Sequence, residues 1–276
     1  MNKLSPERRA AVIRCLVEGN SIRATVRMTG AAKNTVAKLL VDLGNACAQY
    51  QYRALRGVTS KRVQCDEIWS FIGCKEKNIP TTRRGEQGVG DIWTWTALDA
   101  DSKLIISWQV GERDAETACD FIDDLASRLA NRVQLTTDGL KVYLNAVEDA
   151  FGADIDYAVL VKLYGSDPSA EKRYSPPVCI GTERTKVMGR PDPKHVSTSY
   201  VERQNLTMRM SMRRFTRLTN ASSKKLENHA AAISLHFMHY NFCRVHQTLK
   251  TTPAVAAGVA DHIWSVEEIV RLLDTN

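Results

Sequence analysis

The stretch RVQCDEIWSFIG, residues 62–73, constrains the fold more than any other part of the sequence. Its β-branched and aromatic residues predict an extended and largely buried strand. Two acidic residues, Asp66 and Glu67, nevertheless lie in the middle of it. Ionised groups are costly to bury unless they are paired, hydrogen-bonded or bound to a metal, so this strand requires a partner for its acids. The alternative is an Asp that simply faces solvent at a strand end.

The composition is that of a globular protein with a polyanionic partner. The 276 residues are 43% hydrophobic and 25% charged, which excludes disordered and fibrous classes, and the net charge of +7 favours a partner such as nucleic acid. Seven scattered cysteines without a C-x-x-C pair indicate a reduced, intracellular location. Because no apolar run is long enough for a membrane span or a signal peptide, we expect a cytoplasmic protein with no membrane partner.

Residues 1–56 predict an all-α domain that binds DNA. A tail helix and a basic connector are indicated over residues 44–60, after three helices over residues 6–18, 22–29 and 33–43. The first two helices have Ser5 and Ser21 as N-caps, and a glycine turn separates the second from the third. This order is the helix-turn-helix pattern, whose second helix usually enters the DNA major groove. The alternative is a plain three-helix bundle with a solvated polar face. The outward side chains predicted to contact DNA are Lys33, Asn34, Thr35 and Lys38.

Residues 57–259 predict an α/β domain. After the acidic strand, the pattern indicates a hairpin over 91–111 and a helix over 114–129. A strand over 133–137 follows, then another helix, and then a strand over 156–164. Asp138 follows the fourth strand, where α/β sheets place functional groups, although Asp is also a common helix N-cap. Residues 165–197 lack periodicity and predict an inserted loop, and 260–276 predict a C-terminal helix.

A long basic helix is predicted from Ser199, over the sequence SYVERQNLTMRMSMRRFTRLT. Glu202 lies in its first turn, and the alternative to a functional role is that its carboxylate merely complements the helix dipole. Asn205 and Arg209 fall on the same helix face as Glu202, and Arg213 extends the basic character that suits contact with DNA.

Three carboxylates, those of Asp66, Asp138 and Glu202, therefore occupy positions that a single site could bring together. Three such groups would repel one another unless divalent cations neutralise them. Hard carboxylate oxygens select Mg²⁺ or Mn²⁺, and two such ions can stabilise both the attacking and the leaving oxygens of a phosphoryl displacement.

With these residues, the chain resembles the DDE transposases of bacterial insertion sequences, whose pattern is Asp, Asp, Glu and a basic residue seven positions later, here Arg209. The segment HYNFCRVHQTLKTTPAVA, residues 239–256, is similar to the Tyr-Asn, Arg-x-His and Thr-Pro-Ala signature that follows the catalytic Glu in many of them. The wording CDEIW, TTDG and SYVERQNLTMRM is closest to the insertion-sequence-one family.

The resemblance implies an α/β fold, with a ribonuclease H-like mixed-sheet catalytic domain and an N-terminal helix-turn-helix domain. It implies cleavage by metal-activated water at transposon ends, followed by attack of the freed 3′-hydroxyl on target DNA. Asp66 and Asp138 would hold two Mg²⁺ or Mn²⁺ ions, and Glu202 would complete one coordination shell. Double-stranded DNA would be the partner of a homo-oligomer in the bacterial cytoplasm, associated with the nucleoid. The residues expected to contact DNA here are Asn205, Arg209, Arg213, Arg244 and His246.

Two departures and several alternatives accompany this prediction. The 64 positions from Asp138 to Glu202 exceed the spacing in the best-known members, and the N-terminus lacks a cysteine-rich zinc module. Glu67 could replace Asp66 as the ligand, because adjacent strand residues face opposite sides of a sheet. The other open functions are a helix-turn-helix regulator with a ligand-sensing domain and a nuclease of the same fold without strand transfer. His236, His239, Cys243 and His246 share one helical stripe, which disfavours a zinc site because tetrahedral zinc normally takes its ligands from a bend or from two elements.

Overall fold

The computed structural model describes residues 4–86, 88–165, 178–216 and 221–274. Six strands form one sheet in the order β3-β2-β1-β4-β5-β6. Their bounds are β1 (Arg62–Ile72), β2 (Gly90–Asp99), β3 (Ile105–Gly111), β4 (Gln134–Thr137), β5 (Asp156–Gly165) and β6 (Val178–Met188). The sheet is mixed, because β4 runs parallel to β1 and β5, whereas the other neighbours are antiparallel.

Nine helices are described in the same ranges. They are α1 (Pro6–Val17), α2 (Ile22–Thr29), α3 (Lys33–Ala54), α4 (Ala115–Arg128), α5 (Val142–Phe151), α6 (Ser199–Ser211), α7 (Leu226–Met238), α8 (Pro253–Ala256) and α9 (Val266–Arg271). A π-helical turn, His239–Cys243, continues α7. None of the helices in the described ranges is long and apolar enough to cross a membrane.

Several local predictions are confirmed. The side chains of Ser5 and Ser21 accept backbone N–H bonds and cap α1 and α2. Gly30 ends α2 with a φ of 68°, a left-handed conformation that glycine adopts without strain. The hairpin of β2 and β3, the helices α4 and α5, and the strands β4 and β5 follow in the predicted order. This mixed α/β arrangement is consistent with a ribonuclease H-like domain.

Two elements differ from the sequence-based expectation. The segment 165–197 is not entirely a loop, because Val178–Met188 forms the edge strand β6, antiparallel to β5; residues 166–177 lie outside the described part. The basic helix that starts at Ser199 ends at Ser211, and Arg213–Phe215 forms a separate 3-10 turn. Arg213 therefore leaves the line of the helix that carries Glu202.

The third helix and the tail helix predicted after it form one continuous helix, which joins the N-terminal helices to the rest of the chain. It runs to Ala54 without a break, because its second half packs along α7. Gly44 allows the two backbones to touch at Ala231, and Gln51 Nε2 donates to the Ser234 carbonyl at 3.1 Å. Residues of α1 and α3 thus share one hydrophobic core with the sheet. Whether the first three helices act as a helix-turn-helix stays a prediction.

The close approach of α3 and α7 makes Gly44→Ala an informative substitution. Helix propensity alone would stabilise an Ala at this position by about 1 kcal/mol. A Cβ atom there would lie 2.3 Å from the Ala231 carbonyl oxygen, which forces the two helices apart. We therefore expect the free energy of unfolding to fall by about 2 kcal/mol, measured by urea denaturation.

The matched control for this test is Asn45→Ala, at the exposed neighbouring position of α3. This variant gains the same helix former without a clash, so its stability should equal or exceed that of the wild type. A Gly44→Ala protein as stable as the control would contradict the packing of α3 on α7.

Candidate active site

The candidate site forms where β1 continues past the end of its parallel neighbour. β4 pairs with β1 over Arg62–Gln64 and ends at Thr137, whereas β1 runs on to Ile72. Extending this register by two residues puts Asp138 opposite Asp66. The carboxyl end of β4 thus opens a crevice along the flank of β1, at the edge where parallel strands usually present functional groups.

Three carboxylates meet in this crevice: Asp66 and Glu67 from β1, and Asp138 from the loop after β4. One oxygen of each lies within 4.8 Å of the others, and we call these three residues the acid cluster. The sequence analysis treated Glu67 as a substitute for Asp66, on the premise that only one of two adjacent side chains can reach the site. Both reach it, because the flank of β1 is open beyond the end of β4.

Asp66 is held on both of its oxygens. Its Oδ1 accepts the backbone N–H of Glu67 at 2.9 Å, and its Oδ2 accepts the Asn205 side-chain amide at 2.8 Å. Asn205 lies on α6, which packs against β1. The late helix predicted from the sequence therefore touches the acid cluster directly, through the residue one turn after Glu202.

Glu67 and Asp138 share a basic neighbour that the sequence analysis did not single out. Arg113 Nη2 lies 3.1 Å from Glu67 Oε2 and 3.8 Å from Asp138 Oδ2. The other Asp138 oxygen accepts the backbone N–H of Leu140 at 2.9 Å, so this Asp orders the turn before α5 as well as joining the cluster. Arg113 follows β3 in the sequence without any distinctive pattern, and only the sheet order brings it here.

Burial and mutual repulsion weaken the acidity of the two strand carboxyls. Burial, followed by the Glu67 and Asp138 carboxylates, raises the pKa of Asp66 to about 7. The pKa of Glu67 also rises to about 7, mainly through burial and Asp138, against the opposing effect of Arg113. Both groups would ionise more readily beside an added cation.

Glu202 lies near the cluster without joining it. Its Oε2 forms an ion pair with Lys162 of β5, and its Oε1 accepts the Thr198 hydroxyl at 2.6 Å. Its carboxylate is close enough to Asp66 to raise the pKa of that carboxyl, with a smaller effect than Glu67 or Asp138. Glu202 thus approaches the crevice from α6, while Lys162 and Thr198 hold its oxygens.

The acid cluster fits a divalent cation. All its donors are hard carboxylate oxygens, the type preferred by Mg²⁺ and Mn²⁺. The side chain of Glu67 is only 2% exposed, and the Tyr143 hydroxyl and Arg113 are the neighbours that favour its ionised form. Within the described residues, this is the one group of three or more His, Cys, Asp or Glu side chains that could hold a metal ion.

The residues predicted to contact DNA occupy three regions. Lys33, Asn34, Thr35 and Lys38 are exposed in the first turns of α3, where Lys38 pairs with Asp42 at 2.7 Å. Arg209 lies in the last turn of α6. Arg244 Nη1 donates to Ser211 Oγ at 3.3 Å, so it contacts the end of the same helix, and His246 lies just beyond it in the chain. Their contacts with DNA remain predictions.

Fold and site together define a mixed α/β protein with a carboxylate cluster suited to a divalent cation. The sequence matches no family model and no curated protein.

Several solved structures are similar to this fold. A piggyBac transposase synaptic complex with hairpin DNA aligns over 99% of this chain and 71% of its own, with a TM-score of 0.39 and 10% identity. The Mos1 strand transfer complex aligns over 87% and 79%, with a TM-score of 0.25 and 13% identity. A Mos1 transposase paired-end complex aligns over 54% and 59%, with a TM-score of 0.22 and 13% identity. At these TM-scores the likeness is distant, and function has to be argued from the chemistry of the site.

The raised pKa values make stability depend on pH in a definite direction. A carboxyl whose pKa is higher in the folded than in the unfolded protein destabilises the fold increasingly as the pH rises from about 4 to 7. Asp66→Asn removes one such group. Without divalent cations near pH 8, we therefore expect the variant to melt a few degrees above the wild type, with the difference vanishing near pH 4.

Differential scanning calorimetry over this pH range measures the effect, with Asp149→Asn, an exposed position of α5, as the matched control. Added Mg²⁺ should raise the melting temperature of the wild type more than that of Asp66→Asn. A variant less stable than the wild type at the higher pH would contradict the repulsion within the acid cluster.

Proposed function

We propose that the protein is a DNA transposase of the DDE type, of the bacterial insertion-sequence-one kind that its motifs resemble. It would cleave one strand at each transposon end and join the freed 3′-hydroxyl to target DNA, acting as a homo-oligomer on the nucleoid. The proposal rests chiefly on the oxygens of Asp66, Glu67 and Asp138, which lie within 4.8 Å of one another, with Glu67 almost fully buried.

Asp66, Asp138 and Glu67 are the residues proposed to hold Mg²⁺ or Mn²⁺. Bound divalent ions would supply stabilisation of the charge that develops on the attacking and leaving oxygens of a phosphodiester. Asn205 fixes the orientation of Asp66 through its 2.8 Å bond, which keeps one carboxylate aligned without adding charge. The side chain of Glu67 is almost fully buried, and Arg113 holds one of its oxygens.

Glu202 is proposed as a further acid of the site, with its role tied to Lys162. The helix that carries it contacts Asp66 through Asn205, and the Glu202 carboxylate lies close enough to raise the pKa of Asp66. DNA phosphates offer Lys162 an alternative anionic partner. Release of Lys162 to the bound DNA would free one Glu202 oxygen at the moment when substrate arrives.

The helix-turn-helix residues proposed to recognise the transposon end are Lys33, Asn34, Thr35 and Lys38. Arg209 and Arg244 would contact DNA nearer the acid cluster. The end sequence itself can be sought as short inverted repeats in the DNA that flanks the coding region. Labelled duplexes carrying those repeats then separate the possible activities. A transposase yields joined products, a nuclease yields cleavage alone, and a regulator binds without either.

Loss of a cluster carboxylate should abolish catalysis and spare binding. We expect Asp66→Asn and Asp138→Asn to lower the rate of end cleavage in Mg²⁺ by about 100-fold or more, because charge stabilisation at the reacting oxygens is lost. Affinity for the same duplex in EDTA should stay within a few fold. Asp149→Asn serves as the control, and cleavage by Asp66→Asn at the wild-type rate would discredit the assignment.

Glu67 and Glu202 can be ranked by metal binding in the absence of DNA. Since Glu67 lies in the cluster and Glu202 is engaged by Lys162, we expect Glu67→Gln to weaken Mn²⁺ binding by about tenfold or more and Glu202→Gln to change it little. Isothermal titration calorimetry provides the affinities, and end cleavage should be impaired in both variants. Equal loss of Mn²⁺ affinity would mean that Glu202 already belongs to the metal site without DNA.

A further inference from the structure

A cavity of about 800 Å³ lies between the N-terminal helices and the segment that links α6 to α7. Its walls come from the turn between α1 and α2, the start of α3, residues 211–214 and 221–225, and one face of α7 from Asn228 to His236. Six of the described lining residues are cationic, and we call this the basic cavity. They are Arg23, Lys33, Arg213, Arg214, Lys224 and Lys225.

The charge of the basic cavity is not balanced by acids. Its described lining contains no Asp or Glu, and none of the six cations forms an ion pair within residues 4–86, 88–165, 178–216 and 221–274. Arg214 is the clearest example of a cation without an acidic partner, because it is partly buried and its Nη1 donates to a neutral group, Ser223 Oγ, at 2.9 Å. Burial lowers its pKa to about 10. A cation in such surroundings is stabilised by an anionic ligand.

A buried side chain inside the cavity also lacks a partner. His236 of α7 is 5% exposed, and its Nε2 has no hydrogen-bond partner in the part of the chain that the structure describes. Burial lowers the pKa of this imidazole to about 3, so it is neutral at physiological pH. In the tautomer with a proton on Nε2, it can donate one hydrogen bond to an oxygen anion without adding charge.

Three helices begin at the cavity and add to its positive potential. Ser21 before α2, Lys33 at the start of α3 and Lys225 before α7 all line it. Free backbone N–H groups and the helix dipole make helix N-termini favourable positions for anions. The first turns of α2 and α3 contain no acidic residue that would offset this potential, whereas the first turn of α7 contains Glu227.

The cavity is connected to the acid cluster by α6. This helix touches Asp66 through Asn205 and ends at Ser211, which lines the cavity. The rise from Glu202 to Ser211 is about 14 Å at ~1.5 Å per residue. A DNA duplex covers that distance in about four base pairs, so one bound segment can reach both places.

We propose that the basic cavity is a binding site for the phosphodiester backbone of DNA, placed between the predicted end-reading helix and the acid cluster. This inference rests on the proposed function for the identity of the polyanion. The exposed pair Lys224 and Lys225 would contact the backbone at the rim, and Arg214 and His236 would each offer a donor to phosphate from the cavity wall. The contacts are to phosphate, so they would be independent of base sequence.

The test measures the binding of a fluorescein-labelled duplex of about 30 base pairs by anisotropy, in EDTA so that neither metal nor cleavage contributes. The first variant is Lys224→Gln/Lys225→Gln, at two exposed positions. We expect about tenfold or greater loss of affinity near 0.1 M salt, and a slope of log K against log salt that falls by about 2.

A second variant, Asn228→Asp, places one negative charge in the cavity wall with almost no change in volume. Its position in the first turn of α7 favours an acid, so the fold should be retained. It too should weaken duplex binding by severalfold. The control is Lys61→Gln/Arg271→Gln, which removes two exposed cations elsewhere and should lose clearly less affinity.

Each outcome bears on the inference. Preferential loss in both cavity variants supports it, and affinities equal to those of the control overturn it. Cavity variants that lose thermal stabilisation by inorganic phosphate while keeping duplex affinity would identify a small-anion site and overturn the DNA assignment. If such variants bind and cleave end DNA like the wild type, only this inference falls; if the wild type neither binds nor cleaves DNA, the proposed function falls with it.

Discussion

Repulsion among carboxylates on the flank of β1 is the interaction on which the site depends. Asp66 and Glu67 lie in a strand that β2 covers on one side along nearly its whole length, which fixes both backbones rigidly. On the other side β4 stops at Thr137, and the freed flank receives Asp138. The protein opposes the resulting repulsion with one guanidinium, Arg113, and with amide groups that bring no net charge. The negative charge of the acid cluster is thus only partly neutralised, and this favours the binding of a divalent cation.

Charge is distributed unevenly along α6. Its first turns lie beside the acid cluster, where Asn205 contacts Asp66, and its end lies beside a cavity lined by cations without described acids. Such a gradient would suit the proposed DNA substrate, because the acids by themselves would repel phosphate whereas the cations attract it. The ion pair between Lys162 and Glu202 lies within this gradient, where an arriving phosphate could exchange partners with it.

Prediction from sequence was most accurate where local chemistry decides the outcome. The caps at Ser5 and Ser21, the turn at Gly30 and the strand that carries Asp66 all follow from short-range preferences of a few residues. A helix after Gly44 was predicted, but its continuity with α3 was not, because that continuity depends on packing against α7, far along the chain. The strand β6 was missed for a similar reason: its mixture of Thr and charged residues gives no alternation, and pairing with β5 makes it a strand. The helix that begins at Ser199 was predicted too long, since the basic pattern continues beyond its end at Ser211.

The sequence by itself determined the identities and order of the chemical groups: carboxylates at positions 66, 67, 138 and 202, an amide at 205, and an excess of cations over the chain. The identities and order of these groups follow from the covalent structure, and the helices and strands that carry them follow from hydrophobic periodicity and residue propensity. Tertiary structure alone decided which groups meet. In the folded chain both Asp66 and Glu67 reach the site, and Arg113 contacts Glu67 and Asp138. Glu202 forms an ion pair with Lys162. The physical reason is that distances between groups far apart in sequence depend on strand order and on where each strand ends, and a local residue pattern encodes neither.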